Sequence, residues 1–220
     1  MIKAIIFDLG GTLVFPKYKN TFEFIHAAAK KAEIPDSEIS FNHLINIANK
    51  YKILYTHSQI TSLSDYLTTL FMLIDENCHS ISKINKYKFI HHIIHEEVYL
   101  DLDIHEKNLL NILKSYGVKL ILLSNWPIIY PFVHEKLSLF TYFDDFYISS
   151  FLKKEKPSSE LFNIILDNNN IYANEVIMVG NSFKFDILPA MNVGMHTIIH
   201  QKEKDSISDL RRKIYSIMEV

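Results

Sequence analysis

The chain has 220 residues, of which 48% are hydrophobic, and a formal net charge of −2 at pH 7. This length and composition are enough for one domain, or one and a half, with a full hydrophobic core. The small net charge and the presence of only two arginines, Arg211 and Arg212, give no indication of a nucleic-acid-binding surface. The single cysteine, Cys78, excludes a framework of internal disulfides and is typical of a reducing cytoplasm.

Signals for export or membrane insertion are not indicated. Only four apolar residues separate Lys3 from Asp8, which is too few for the apolar region of a signal peptide. No apolar run approaches the roughly 20 residues of a membrane span. We therefore expect a cytoplasmic protein with neither a membrane nor a nucleic-acid partner, whose oligomeric state the sequence does not indicate.

The first predicted element is a short strand over Ala4–Phe7, followed at once by Asp8 and the pair Gly10-Gly11. A continuous apolar run of this length predicts a strand buried on both faces, as in the middle of a parallel sheet. Glycines allow a sharp turn and a close approach of backbone to a ligand. A carboxylate at this place lies where open α/β sheets bind ligands, although an Asp that only caps a turn is an equally simple interpretation.

Helical periodicity then dominates for about eighty residues, and we predict an inserted helical bundle over 16–98. Apolar residues recur at intervals of three and four in four segments, which are 22–32, 41–51, 63–74 and, more weakly, 84–98. Thr61 or Ser62 is the expected N-cap of the third helix.

After Ile104 the pattern alternates between helices and apolar strands, which predicts a parallel, doubly wound sheet of the α/β class. The predicted strands are Val118–Leu123, Tyr147–Ser149, Val176–Val179 and His196–His200. Helices are expected to end at Tyr116-Gly117, to open at Pro127 and at Pro157, and to run from near Asp186 to Gly194. The core would then comprise 1–15 and 99–220.

Polar residues follow three of the predicted strands, at Asp8, at Ser124-Asn125 and at Gly180-Asn181 with Asp186 beyond. Two carboxylates, a backbone carbonyl and water make an oxygen-rich site of the kind that Mg²⁺ prefers. A lysine such as Lys156 and a Ser hydroxyl suit a phosphate, and a carboxylate can attack a phosphorus atom to form an acyl phosphate. Each residue also has a structural interpretation as a helix cap, a surface lysine or a first-turn acid.

Four segments, in this order and spacing, resemble the motifs of the haloacid dehalogenase superfamily. They are Asp8-Leu-Gly-Gly-Thr-Leu13, Leu122-Leu-Ser-Asn125, Lys153-Lys-Glu-Lys-Pro157 with Leu161-Phe162, and Val179-Gly-Asn-Ser-Phe-Lys-Phe-Asp186 through Gly194-Met195. The resemblance covers the core from Ile2 to about Ile199 and implies a Rossmann-like fold with a cap inserted after the first strand. It implies a hydrolase, most often an Mg²⁺-dependent phosphatase of a small molecule.

The resemblance also implies roles for individual residues. Asp8 would be the nucleophile and a metal ligand, and Lys156 would neutralise charge on Asp8 and on the phosphate. Metal coordination would be completed by the Gly10 carbonyl, Asp186 and Asn181. Substrate contacts and support of the site would come from Gly11, Thr12, Ser124 and Asn125.

Two positions depart from the usual pattern of the superfamily's phosphatases. Gly10 stands where a second Asp usually serves as general acid and base, and the loss of such a group typically costs about 10²–10⁴ in rate. Asn181 stands where an Asp is most frequent, which should weaken metal affinity. These departures predict a slow enzyme or one restricted to activated leaving groups.

Other interpretations remain open at this point. Dehalogenases of the superfamily lack the second Asp and need no metal, but they carry a cap arginine, which this chain lacks before Arg211. Phosphonoacetaldehyde-type hydrolases use a cap lysine, for which Lys50 and Lys52 are candidates. A degraded site retained as a binding or scaffold module is a third possibility, indicated by Gly10 and Asn181.

Two features of the helical segment could also contribute to function. A histidine group with an i, i+4 pair (His91, His92, His95, with Glu96) could bind Zn²⁺, although a solvated or packing helix face is the simpler interpretation. Aromatic residues of the insert are expected to be mostly core, namely Phe22, Phe41, Tyr51, Tyr55, Tyr66 and Phe71. Tyr18, Lys17 and Lys19 are better candidates for the rim of a pocket.

Overall fold

The computed structural model describes residues 1–15, 17–56, 62–95, 102–125 and 139–219, with only the backbone described for 52–56. The strands are β1 (Ala4–Phe7), β2 (Lys119–Ser124), β3 (Asp145–Ile148), β4 (Val176–Gly180) and β5 (His196–Ile199). The α-helices are α1 (Thr21–Lys31), α2 (Phe41–Thr56), α3 (Leu63–Asn77), α4 (Lys83–His95), α5 (Ile104–Ser115), α6 (Leu139–Tyr142), α7 (Ser149–Leu152), α8 (Ser159–Asn169), α9 (Leu188–Asn192) and α10 (Ile207–Met218). Within these ranges, no helix combines the length and the apolar character that crossing a membrane would require.

The five strands form one parallel sheet in the order β3-β2-β1-β4-β5, which confirms the predicted α/β class. All four residues of β1 are buried, as expected for a central strand covered on both faces. Phe7 pairs in register with Leu122 of β2 and with Val179 of β4. The carboxyl ends of these three strands therefore lie side by side, and the residues that follow them meet at one edge of the sheet.

Helices cover both faces of the sheet, so the core has two apolar layers. One layer joins Ile5 and Phe7 of β1 to buried leucines of α5 and to α10. The other joins Ala4 and Ile6 to the buried face of α8 and to Ala190 of α9. This alternation of consecutive β1 residues between the two layers is the period of two that a strand imposes.

The helices α1 to α4 surround a separate apolar cluster. Helix α1 packs against α2 and α4, and α3 packs against the same two helices. Ser62 is the N-cap of α3, where its side chain accepts the Asp65 N–H, in agreement with one of the two predicted caps. Four helices that bury their apolar stripes against one another agree with the bundle predicted from the periodicity.

Most of the insert aromatics with helical spacing do lie in this cluster. Tyr51 and Tyr66 are buried, and Phe22 and Phe71 pack against the cluster while partly exposed. Phe41 is an exception, with 64% of its surface exposed, because it occupies the first turn of α2. The Tyr55 side chain lies outside the described residues.

Several boundaries differ from the prediction. The strand predicted over Val118–Leu123 is Lys119–Ser124, and the one predicted over Tyr147–Ser149 is Asp145–Ile148. The third strand is extended at its start by pairing with β2, where Asp145 is in register with Ile121. The strand ends earlier than predicted because the chain turns into α7 at Ser149.

The helix predicted to open at Pro157 begins instead at Ser159. The N–H of Ser158 donates to the carbonyl of Glu155 at 3.0 Å, which closes a turn before the helix starts. Lys153 lies in the left-handed region with φ of 54°, so the whole segment that contains Lys156 is a loop. The helix predicted at Pro127 and the end of the helix predicted at Val98 lie outside the described residues.

The helix predicted around Asp186 has two parts. Residues Phe183–Ile187 form a π-helix, in which the Ser182 carbonyl accepts from the N–H groups of both Asp186 and Ile187, and α9 follows directly. A π-helix has a wider turn than an α-helix because its hydrogen bonds join residues five apart, and single π-helical turns are frequent at functional sites.

Candidate active site

The carboxyl end of β1 places Asp8 at the middle of the sheet edge. Its backbone N–H donates to the carbonyl of Val179 in β4 at 2.9 Å, so the main chain is fixed to the neighbouring strand. The Thr12 hydroxyl donates to Asp8 Oδ2 at 2.7 Å from the tight turn that follows. Because Thr12 is fully buried, this bond holds the carboxylate in one orientation.

Lys156 joins the two carboxylates of the site. Its Nζ donates to Asp8 Oδ1 at 2.7 Å and to Asp186 Oδ1 at 2.6 Å, with a longer contact of 3.4 Å to the carbonyl of Leu123. Only 4% of the lysine side chain is exposed, so these contacts form away from bulk water. The charge-assisted bonds therefore fix Asp8 and Asp186 relative to each other.

Asn125 holds Lys156 in place through the backbone. The Asn125 Nδ2 donates to the Lys156 carbonyl at 3.0 Å, and its Oδ1 accepts from the Lys156 N–H at 2.9 Å. An amide that forms both bonds orients the loop carrying the lysine. The predicted substrate contact of Asn125 stays a prediction, because the bonds observed are those of a positioning residue.

Asp186 is held by the turn after β4. Its Oδ2 accepts from the Ser182 N–H at 2.9 Å, while Oδ1 faces Lys156. Gly180 is required beneath it, because a Cβ at that position would lie 2.4 Å from the Cβ and Cγ of Asp186. A glycine at the end of β4 thus allows Asp186 to reach the site.

Gly11 and Asn181 meet where the turns after β1 and β4 approach each other. Gly11 has φ of +77°, and a Cβ built on it would lie 2.3 Å from Asn181 Nδ2. Both the backbone conformation and the close approach therefore require glycine. Asn181 is consequently placed beside the turn that contains Gly10, and its role near a metal stays a prediction.

Ser124 is the last residue of β2 and is 4% exposed. Within the described part of the chain, its hydroxyl forms no hydrogen bond with another protein group. The hydroxyl therefore keeps its donor for another partner. This placement is consistent with the predicted contact to a phosphoryl oxygen.

The electrostatics of the site are set by two carboxylates and one ammonium, all buried. Burial lowers the pKa of Lys156, but Asp8 and Asp186 raise it by more, so its net shift is upward and the lysine stays charged. Burial raises the pKa of Asp186 above the usual range, Lys156 opposes this, and Asp8 adds to it. Two carboxylates and one ammonium leave the site with one negative charge that no positive charge balances.

The donor set fits a hard divalent cation. Each carboxylate oxygen of Asp8 and Asp186 accepts one protein hydrogen bond and retains further lone-pair capacity. Among the described residues, no three His, Cys, Asp or Glu side chains are grouped to hold a metal ion. A cation here would depend on two carboxylates together with carbonyl oxygen and water, which are ligands that Mg²⁺ accepts.

The other candidates from the sequence lie in the insert or at its start. The Lys50 ammonium pairs with Glu76 at 3.2 Å on the surface, whereas the Lys52 side chain is not among those described. Tyr18 packs edge-on against Phe24 of the insert cluster, at 5.7 Å between ring centroids, and Lys17 lies over the Tyr18 ring. Tyr18 therefore contributes to the insert core as well as to any rim.

The histidines of α4 lie close together, and within the described part of the chain no group of three His, Cys, Asp or Glu side chains is placed to hold a metal ion. The rings of His91 and His95 are 4.5 Å apart between centroids, and His91 and His92 are 5.4 Å apart. Glu96 lies outside the described residues.

Two residues near the site carried no signal in the sequence. Gln201 Nε2 donates to the backbone carbonyl of Asn181 at 3.3 Å, and the N–H of Lys202 donates to the Gly11 carbonyl at 2.9 Å. Both follow β5, whose carboxyl end lies next to that of β4. The Lys202 contact is made by backbone atoms and the Gln201 contact by a side-chain amide, but both depend on the tertiary position of the segment after β5, so no motif could have indicated them.

The chain is similar to known proteins over most of its length. A family model described as haloacid dehalogenase-like hydrolase matches residues 2–194. The chain is 28% identical over 207 residues, 90% of this chain and 83% of the relative, to the PpaX protein of Clostridium perfringens, whose name gives a provisional assignment as a pyrophosphatase.

Solved structures share the fold. A haloacid dehalogenase family enzyme from Bacteroides thetaiotaomicron, solved with magnesium and inorganic phosphate, has a TM-score of 0.67 at 19% identity, covering 96% of this chain and 99% of that one. A 2-haloacid dehalogenase from Pseudomonas syringae has a TM-score of 0.71 at 18% identity, covering 98% and 99%. At these identities the likeness concerns the fold. The family match over nearly the whole chain, together with this fold, shows that the chain belongs to the haloacid dehalogenase-like hydrolases.

Proposed function

We propose that this hydrolase is a cytoplasmic, Mg²⁺-dependent phosphatase of a small phosphorylated metabolite, with Asp8 as the nucleophile. The observation that carries the proposal is the buried bridge in which Lys156 contacts both Asp8 and Asp186 at the carboxyl edge of the sheet. A fixed carboxylate beside a permanent positive charge suits attack on an anionic phosphoryl group. The Bacteroides structure that holds magnesium and phosphate supports the same chemistry on this fold.

The metal would be held by Asp8, Asp186 and the Gly10 carbonyl, with Asn181 beside them. Bound there, Mg²⁺ would supply Lewis-acid charge to the phosphoryl oxygens. The negative charge that the site retains after Lys156 is counted supports this assignment. Asn181 carries no charge where the family more often has Asp, so we expect weak metal affinity.

The protein side chains would carry out the two chemical steps. One Asp8 oxygen forms a bond to phosphorus while the bond from phosphorus to the leaving oxygen breaks, and that oxygen leaves with the electron pair. Water then attacks the phosphorus of the aspartyl phosphate, which restores the Asp8 carboxylate and releases inorganic phosphate. Lys156 and the Ser124 hydroxyl would contact phosphoryl oxygens, and Thr12 would keep Asp8 oriented.

The leaving group is restricted by what surrounds Asp8. Among the described residues, the side chains that hydrogen-bond to Asp8 are those of Thr12 and Lys156, and Gly10 has no side chain to deliver a proton. A phosphate or a carboxylate departs as a stabilised anion, since the second pKa of a phosphate ester is about 6. We therefore propose acyl phosphates and phosphoanhydrides as the favoured substrates, which the name of the Clostridium relative also supports.

We also propose how the chain is divided into a core and a cap. Residues 16–98 would form a helical cap over a core of 1–15 and 99–220, since α1 to α4 bury a cluster separate from those of the sheet. Such a cap would lie over the edge of the sheet and select the metabolite.

The first test replaces the nucleophile. Asp8→Asn keeps the shape of the side chain but removes its negative charge, so phosphate release from acetyl phosphate and pyrophosphate should fall by at least about 10³-fold. Asp167→Asn, an exposed change in α8, is the matched control and should leave the rate unchanged. Activity of Asp8→Asn equal to that of the control would refute the proposal.

A second test concerns the missing acid. Gly10→Asp should raise kcat/KM for a sugar phosphate by about 10-fold or more and leave acetyl phosphate hydrolysis nearly unchanged, because only the former needs a proton donor. Equal effects on both substrates would argue against the leaving-group restriction. Halide release from 2-chloropropionate without metal would favour a dehalogenase, and metal binding without turnover of any phosphate would favour a binding module.

A further inference from the structure

A lysine behind the catalytic turn contacts three separate parts of the chain. Lys202 follows β5, and its backbone N–H donates to the carbonyl of Gly11 at 2.9 Å. Its ammonium pairs with Asp103 at 3.1 Å and also with Glu106, and it lies 4.9 Å from the centroid of the Phe15 ring. Only 6% of the Lys202 side chain is exposed, so these contacts form largely away from water.

The contacted residues stand at both connections between the helical insert and the sheet. Phe15 follows the bridge between Gly10 and Val14 and precedes the segment that leads to α1. Asp103 is the N-cap of α5, where its Oδ1 accepts from the N–H of His105 at 2.8 Å, and α5 is the first described helix after the insert. One ammonium therefore contacts the chain where it leaves the sheet and where it returns.

The ion pair is not arranged for stability alone. Glu106 is 3% exposed, and its Oε2 has no hydrogen-bond partner among the described residues. Burial raises the pKa of Glu106, as does its neighbour Asp103, while Lys202 lowers it. Because a buried pair with an unsatisfied oxygen is weak as a source of stability, a role in fixing position explains it better.

The same residue acts on the turn that orients the nucleophile. The N–H of Gly11 donates to the Val14 carbonyl at 2.9 Å, and Thr12 in the same turn donates to Asp8. The backbone N–H of Lys202 fixes this turn through the Gly11 carbonyl, and its ammonium contacts the Phe15 ring at the end of the turn. A displacement of the turn would therefore move Thr12 and the Asp8 carboxylate together.

We infer that Lys202 is a positioning residue, which fixes the turn over Gly10–Thr12 and both connections between the helical insert and the sheet relative to Asp8. For its activity readout the inference rests on the phosphatase function proposed above. It predicts that the positive charge of Lys202 matters for the geometry of the turn, independently of which substrate is turned over. Hydrogen exchange of the turn amides provides a readout that requires no substrate.

The principal variant is Lys202→Met, which keeps the backbone N–H and the side-chain length but removes the charge. Amide exchange at Gly11 and Val14 should become at least about 10-fold faster, whereas exchange at Ile6 in β1 should change little, because the loss of order is local. The rate constant kcat for acetyl phosphate should fall by about 10-fold or more, with a smaller change in KM, because a misplaced catalytic group reduces the rate sharply.

Two further variants separate position from stability. Lys202→Arg keeps the charge and should restore most of the amide protection and of kcat. The double variant Lys202→Met with Glu106→Gln leaves no unpaired Glu106 carboxylate, so it should recover folding stability but not the protection of Gly11 and Val14. Lys204→Met, an exposed change in the same loop, is the matched control.

The inference is overturned if the amides of Gly11 and Val14 exchange at the same rates in Lys202→Met as in Lys204→Met. If Lys202→Met does not fold, the double variant is compared with Lys204→Met instead. Recovery of protection in the double variant would also overturn it, because it would show a purely electrostatic stability effect. If no variant and no wild-type protein releases phosphate, the proposed function fails while the amide exchange still decides the role of Lys202.

Discussion

The helical insert and the carboxyl edge of the sheet differ in how the charge of their buried polar groups is balanced. In the insert, the hydroxyls of Tyr51 and Tyr66 contact each other at 2.8 Å, and Asn77 donates to the carbonyl of Leu73 at 2.7 Å. These groups are neutral, and Lys86, the buried charged side chain among the described residues of the insert, pairs with the exposed carboxylate of Asp75 at 2.6 Å. At the sheet edge, the buried groups are formal charges, and one negative charge remains after Lys156 is counted.

This difference supports the proposal that the sheet edge is arranged for chemistry and the insert for folding. Neutral, paired groups add specificity to a core at little electrostatic cost. Buried charge that is not neutralised destabilises a fold, so it persists where an activity requires it. We therefore expect changes at the sheet edge to alter reactivity most, and changes in the insert to alter stability most.

The largest expected effect comes from removing the cation of the site. Lys156→Met would leave Asp8 and Asp186 buried and facing each other without a positive charge. The variant should lose about 3–5 kcal/mol of stability at neutral pH, because breaking a buried pair leaves uncompensated charge. Phosphate release should fall by at least about 10²–10³-fold, as on removal of a preorganised stabilising group.

The pH dependence of Lys156→Met follows from Asp186. Burial and the neighbouring Asp8 raise the pKa of Asp186 and Lys156 would no longer oppose them, so in the folded variant this pKa should lie above the unfolded value of about 3.9 and the folded state binds the proton more tightly. Stability contributed in this way is present at low pH and is lost as the pH rises through the folded pKa. Urea unfolding at about pH 5 and about pH 8 should therefore show the variant nearer to wild type at the lower pH.

A surface lysine in the same loop provides the control. Lys154 pairs with Glu160 at 2.6 Å in a partly exposed position, so Lys154→Met should change stability by at most about 1 kcal/mol. A deficit of Lys156→Met that stays constant with pH, or that matches Lys154→Met, would contradict the described electrostatics.

The next effect concerns the insert. Leu70 in α3 is completely buried in the insert cluster, and Leu70→Ala should destabilise the insert by about 2–5 kcal/mol. If the insert is a separate unit as proposed, hydrogen exchange should increase in peptides over 21–95 and much less in peptides over 104–125. Leu122→Ala in β2, also completely buried, is the matched change in the sheet and should show the reverse. Equal increases in both sets of peptides would mean that the two regions unfold together.

The same contrast explains what could be predicted from the sequence. The insert helices follow from local periodicity, as the spacing of Leu63, Tyr66 and Leu70 illustrates, and β1 follows from its continuous apolar run. Asp8 could be placed at the sheet edge because strand ends in a parallel sheet share one side. These inferences depend on residues that are close in sequence.

The bridge through Lys156 could not be derived in this way. Lys156 and Asp8 are 148 residues apart, and the lysine lies on a loop rather than at the predicted start of a helix. The resemblance to the family indicated Lys156 as a site residue, but not the clamp by Asn125 or the contacts of Lys202. Tertiary packing decides such contacts, and a single sequence contains no periodic signal for them.

The smallest expected effects come from two glycine substitutions in the core, one at the carboxyl edge of the sheet and one in the turn between α5 and β2. Gly180→Ala would put a Cβ 2.4 Å from Asp186 and displace that carboxylate, so turnover and Mg²⁺ affinity should fall by about 10–100-fold. Gly117→Ala places a residue at φ of +75° with no atom within 4 Å, so it should reduce stability by about 1–2 kcal/mol through backbone strain alone. Metal titration and steady-state rates for both variants, beside their urea midpoints, separate the two outcomes. The sheet edge is organised for chemistry only if Gly180→Ala loses activity beyond its loss of stability while Gly117→Ala does not, and the opposite pattern would contradict that assignment of the sheet edge.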